Sequence, residues 1–129
     1  MPKVLIADEL SPKALDVFRS RGVAVDVRTG LKKSELMSII GGYDGLAVRS
    51  ATKADKDVIM AANGLKVIGR AGIGVDNIDL VSASARGIVV MNTPFGNSIT
   101  TAEHAIALLF AAARRGPLFT PVLSFIVAS

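Results

Sequence analysis

Two arginines carry most of the chemistry legible in this chain. Arg49 follows the apolar run Leu46-Ala47-Val48, and Arg70 follows Val67-Ile68 and one glycine. Short apolar runs like these read as buried strands. In an open parallel sheet, the carboxyl ends of adjacent strands share the rim where ligands bind. Two planar, permanently charged donors on that rim, with backbone N–H groups beside them, suit a phosphate or a carboxylate. The plainer alternative is a pair of surface arginines matched to carboxylates. Arg70 also opens a glycine loop with the outline of a dinucleotide fingerprint. Gly72 to Asn77 reads G-x-G-x-x-N, so the glycine that lets helix and strand pack closely is missing. No acidic residue stands about 20 positions downstream to hold a ribose hydroxyl.

Other polar residues invite chemistry less strongly. His104 is the single histidine and neighbours Glu103, so a general-base pair is imaginable. Its place in the first turn of an apolar helix reads better as a packing or interdomain contact. Asp8 and Glu9 follow the first apolar run, where a phospho-acceptor receiver domain keeps its acidic pair. Such a domain also needs an aspartate after its third strand, and Arg49-Ser50 stands there instead. Asp76, Asn77 and Asp79 offer oxygen ligands to a metal, but Asp76 or Asn77 at a helix start reads as a cap. There is no cysteine, which excludes disulfides, thiol catalysis and cysteine metal sites.

The elements that must position these residues alternate in type. Apolar runs at 4–7, 23–27, 46–48, 67–68 and 88–91 read as strands. Between them, Ser11 and Pro12 open a helix that Gly22 ends, and Ser34 caps one that Gly41-Gly42 closes. A third helix covers 54–62 and ends at Asn63-Gly64, and a fourth covers 78–86 and closes at Gly87. Strands and helices alternating at this spacing imply right-handed crossovers and an α/β fold: a flavodoxin-like open parallel sheet of about five strands, order 2-1-3-4-5, with helices on both faces. Asn92-Thr93-Pro94 and Gly96-Asn97 read as turns at a domain junction.

Composition agrees. Half of the 129 residues are apolar, aromatics are few, and small aliphatic side chains dominate, as a sheet buried on both faces requires. The net charge of +4 is scattered without interleaved aromatics, which points to small anions and away from nucleic acid. The opening MPKVLIADE lacks the apolar core of a signal peptide, so a cytoplasmic location and no membrane partner are expected. A last helix begins near Thr100, where Thr100 and Glu103 fit a capping box. It is apolar nearly all round, which predicts an exposed apolar face and self-association or docking through it. A clean monomer by light scattering, with no dye binding, would contradict that. Residues 1–115 read as one domain and 116–129 as a divergent apolar tail, GPLFTPVLSFIVAS, too short for a membrane span of about 20 residues.

GRAGIGVDNID, then GIVVMNTP, then TAEHAIAL, with YDGLAVRSATK and MPKVLIAD upstream, resemble the amino-terminal domain of the D-2-hydroxyacid dehydrogenases and, within them, the phosphoglycerate dehydrogenases. The likeness runs from Met1 to about Arg115. It implies an NAD-dependent oxidoreductase of a small anionic hydroxyacid, with serine biosynthesis as the setting. It assigns Arg49 and Ser50 to the phosphate end of the substrate, and Arg70 with the backbone of Ala71, Gly72 and Ile73 to its anionic groups. It also sets Ile73 beside the nicotinamide, where only its backbone can bond. In the family a nucleotide-binding domain with a true G-x-G-x-x-G follows, then a catalytic arginine, glutamate and histidine. Those motifs do not occur in these 129 residues. The resemblance therefore implies a substrate-binding half that is inactive alone. A non-enzymatic anion-binding or regulatory module and a non-functional gene remnant are the alternatives.

Overall fold

The computed structural model of the chain describes residues 3–9, 12–20, 22–70 and 76–92. Five strands, β1 (Lys3–Ile6), β2 (Ala24–Val27), β3 (Gly45–Val48), β4 (Val67–Arg70) and β5 (Val89–Asn92), form one sheet in the order β2-β1-β3-β4-β5. All four pairings are parallel. The helices α1 (Pro12–Ser20), α2 (Lys33–Ile39), α3 (Lys56–Ala61) and α4 (Leu80–Ala85) connect them. This is the expected order. The chain runs outward from β1 to β2 and then returns to β3, so the topological switch point lies between β1 and β3.

Strand register sorts the core into two layers. Leu5, Leu46, Ile68 and Val90 align across four strands and share one face. Leu5, Leu46 and Ile68 join Leu36, Val58, Ile59 and Ala83 of α2, α3 and α4 in one hydrophobic cluster, with Val90 packed against it. Each fully buried leucine or isoleucine there contributes about 2 kcal/mol through burial. The alternate row, Ile6, Ala47, Gly69 and Met91, faces the other way. Right-handed crossovers set α1 on that second face, and its fully buried Phe18 is no member of the first cluster.

The helix limits differ from the sequence expectation, and one contact accounts for two of the differences. Ala54 and Ile78 form an isolated parallel bridge: the Ala54 N–H donates to the Asn77 carbonyl at 2.8 Å, and the Asp79 N–H donates to the Ala54 carbonyl at 2.9 Å. Both segments are thus held extended, and neither helix can begin there. α3 starts two residues later behind Asp55, whose side chain accepts from the Val58 N–H at 3.1 Å. α4 starts behind Asp79, whose carboxylate accepts from the Ser82 N–H at 3.2 Å and from the Ser82 hydroxyl at 3.0 Å. The cap is therefore Asp79, not Asp76 or Asn77. Those two donors hold the Asp79 carboxyl below the usual carboxylate range.

Ser34 does not cap α2 either. The N-cap is Lys32, and Glu35 reaches back to its backbone N–H at 3.1 Å. Gly22 and Gly87 close their helices with φ of +75° and +69°. Gly41-Gly42 instead continue a tight 3₁₀ turn, and Gly41 lies close to α3, since a Cβ there would meet the Ala61 carbonyl at a tight 3.3 Å. Ser11, the helix expected from Thr100 with Glu103 and His104, and the segment 116–129 lie outside the described residues.

Candidate functional site

Arg70 ends β4 in register with Val48, the last residue of β3, and Arg49 follows immediately after β3. The two arginines therefore stand at the carboxyl ends of neighbouring strands, as expected. Glu9 and Asp8 sit at the same edge of the sheet, just past β1. The rim of β1, β3 and β4 thus spans the switch point, where open α/β sheets leave a crevice.

The guanidinium groups lean toward different supports. Arg70 is mostly buried, at 13% exposure, and its Nη1 meets Asp76 Oδ1 at 3.1 Å, while the Asp76 side chain is 92% exposed. Arg70 Nε is buried and has no hydrogen-bond partner among the described residues. A buried unpaired donor costs roughly 1–3 kcal/mol. Arg49 is half-buried, and its Nη1 makes a long 3.5 Å contact with the Glu9 carbonyl. Arg70 is thus paired with an exposed carboxylate and keeps a buried unpaired nitrogen, while Arg49 meets a carbonyl and no carboxylate among the described residues.

Residues 49–52 form the turn that leaves β3, and side chains from both neighbouring strand ends hold it. Asp8, 6% exposed, accepts through Oδ2 from the Arg49 N–H at 2.7 Å and the Thr52 N–H at 3.0 Å. Its Oδ1 accepts from the Thr52 hydroxyl at 2.6 Å. Asn77 Nδ2 donates to the carbonyls of Arg49 and Thr52, both at 2.7 Å. Two carbonyl partners fix the amide orientation, because the flipped form would set oxygen against oxygen. Ser50 and Ala51, between the clamped residues, are exposed. The sequence offers Asp8 as a phospho-acceptor and Asn77 as a metal ligand or a cap, and neither as a support for this turn. Their bonds join residues 25 to 44 positions apart, which no local pattern encodes.

Ala71, Gly72 and Ile73, the remaining residues assigned by motif, lie outside the described residues. Among the described residues no three His, Cys, Asp or Glu side chains gather to hold a metal, and no helix is long and apolar enough to cross a membrane. A second polar cluster lies away from the rim. The Tyr43 hydroxyl donates to Asp26 Oδ2 at 2.7 Å, and Lys3 Nζ stands 3.3 Å from the same oxygen. Burial first, then the Asp26 carboxylate, push the Tyr43 phenol up to about 12. This cluster ties the beginnings of β1 and β3 to β2 and has the character of a structural brace.

The model of the D-isomer specific 2-hydroxyacid dehydrogenase catalytic domain matches residues 4–124. The chain is 55% identical over 115 residues to the D-3-phosphoglycerate dehydrogenase of Archaeoglobus fulgidus, covering 89% of this chain and 22% of that protein. It thus spans about a fifth of the length of the curated relatives it matches. Among solved structures, a Thermus thermophilus protein superposes with a TM-score of 0.68 at 38% identity, covering 92% of this chain and 42% of that one. The NAD+-bound 3-phosphoglycerate dehydrogenase of Entamoeba histolytica superposes with a TM-score of 0.65 at 33% identity, covering 71% of this chain and 32% of that one.

Proposed function

Since the chain belongs to the D-isomer specific 2-hydroxyacid dehydrogenase family, we propose that it is the substrate-binding half of an NAD-dependent oxidoreductase acting on 3-phosphoglycerate. The observation that carries this reading is Arg70: a mostly buried guanidinium at a strand end, with one nitrogen on an exposed carboxylate and another unpaired. A small anion can take both positions, displacing Asp76 from Nη1 and meeting Nε. Arg49 and Ser50 hold the phosphate end. Arg49 adds a second fixed charge, and the exposed Ser50 adds a hydroxyl. The backbone of Ala71, Gly72 and Ile73 is assigned to the remaining anionic groups on the motif alone. Residues 1–115 form the functional unit and 116–129 a separate tail.

NAD is the cofactor the family relationship implies, and it supplies the hydride acceptor when bound. The described donors on the rim suit the acid more than a dinucleotide. Only Ile73 is assigned next to the nicotinamide, again on the motif. What these residues do is orient: they fix the 2-carbon of the hydroxyacid by gripping its anionic ends, which lowers the entropic barrier to transfer. One wall of a cleft cannot also take the hydroxyl proton, and none of the described rim residues is a histidine. The 129-residue chain is therefore expected to bind 3-phosphoglycerate and to form no NADH from it.

Titration of the chain with 3-phosphoglycerate tests this. Binding that is weakened at least about tenfold by Arg70→Ala and by Arg49→Ala supports the reading. Binding indifferent to both substitutions refutes the site, and NADH formation abolished by Arg70→Ala refutes the half-site role.

A further inference from the structure

We propose that Asp8 and Asn77 are positioning residues that anchor the 49–52 segment at both ends and cover its two end carbonyls, which suits the segment to an anion. The inference rests on the reading that this segment holds the phosphate end of the substrate. Four backbone groups in the segment matter. The carbonyls of Arg49 and Thr52 are acceptors and would repel an anion; Asn77 Nδ2 covers both at 2.7 Å. The N–H groups of the same two residues bind Asp8, which takes a third bond from the Thr52 hydroxyl. Three donors on a carboxylate that is 6% exposed keep its charge away from the ligand.

Both ends of the segment are thus anchored, from β1 on one side and from the turn after β4 on the other. The middle residues, Ser50 and Ala51, stay exposed, and no hydrogen bond engages their N–H groups among the described residues. Those two N–H groups and the Arg49 guanidinium are donors, and the Ser50 hydroxyl can donate as well, while the Ser50 and Ala51 carbonyls are the acceptors the segment keeps. The same turn also carries Asp76, the partner of Arg70. Neither Asp8 nor Asn77 need touch the ligand.

The test compares 3-phosphoglycerate with D-glycerate, which lacks the phosphate, on the full chain, with thermal melts to verify folding. Asn77→Ala is expected to weaken 3-phosphoglycerate about tenfold, the equivalent of losing one or two hydrogen bonds, and glycerate by less than about twofold. Thr52→Val removes the hydroxyl, with its 2.6 Å bond to Asp8 and its long 3.4 Å contact with the Ala7 carbonyl, and should weaken 3-phosphoglycerate about threefold to fivefold, while Thr52→Ser restores it. If Asn77→Ala fails to fold, the Thr52 pair decides alone. A merely structural role would lower melting temperature and weaken both ligands equally, or neither, and that result overturns the proposal. If Arg49→Ala abolishes the preference for 3-phosphoglycerate while the Asn77 and Thr52 variants keep it, this inference fails and the functional reading stands. If the unaltered chain shows no preference between the two acids, the functional reading fails and takes the inference with it.

Discussion

Asp76→Asn separates a ligand-binding Arg70 from a structural one. Arg70 is 13% exposed and its carboxylate partner 92% exposed, so the ion pair lies at the solvent end of an otherwise buried side chain. Exposed pairs of this kind contribute about 0–1 kcal/mol, and asparagine keeps an acceptor oxygen in place, so the substitution should leave stability nearly unchanged. If Asp76 is a resting counter-ion, the ligand must displace it. Removing its charge then tightens 3-phosphoglycerate by as much as about fivefold, the conversion of 1 kcal/mol. Arg70→Ala moves the other way. Losing charge-assisted hydrogen bonds of about 1.5–3 kcal/mol weakens binding about 10- to 150-fold. Titration at low and high salt, with urea denaturation in parallel, reads both effects. The Asp76→Asn gain should shrink with added salt because the exposed charge is screened. Loss of stability in Asp76→Asn with no gain in affinity would refute the reasoning and make the pair an architectural contact.

Three further outcomes test the account of the fold. Ile68→Ala, in the fully buried central row, should cost about 2–5 kcal/mol in urea denaturation, a large share of the stability of a small domain. Gly87→Ala should cost about 1 kcal/mol through its φ of +69° alone, because nothing lies within 4 Å of a Cβ there, whereas Gly42→Ala, equally open but without a positive φ, should be neutral or slightly stabilising. Tyr43→Phe tests the brace through pH. The folded phenol titrates at about 12 against an ordinary 10, so its contribution is complete below pH 10 and disappears as pH rises toward 12. The stability gap between the unaltered chain and Tyr43→Phe should therefore narrow across that window, and a constant gap would show that the phenol is not shielded.

Most of the fold was legible because it rests on local pattern. The apolar runs ending at Val48 and Ile68 are buried by the parallel sheet, and strands alternating with helices at this spacing pointed to the strand order found. Left-handed closures at Gly22 and Gly87 were legible for the same reason. Helix starts were less so: the Ala54–Ile78 bridge is a tertiary contact, and it overrides the local preference of Asp76 and Asn77 for a cap. The arginines stood out by type and position at strand ends. What supports them did not, because Asp8 and Asn77 act on backbone atoms far along the chain, and side-chain-to-backbone bonds of that range leave no periodic trace.

Amide shift mapping of the isotope-labelled chain during titration with 3-phosphoglycerate bears most directly on the claim that one rim of the sheet grips a small acid. The expected result is saturable change concentrated at residues 49–52, 70 and 76–77, the carboxyl ends of β3 and β4 and the turn between β4 and α4. Little change is expected at Lys3, Asp26 and Tyr43. Changes centred on that second cluster, or absent altogether at saturating ligand, would contradict the account.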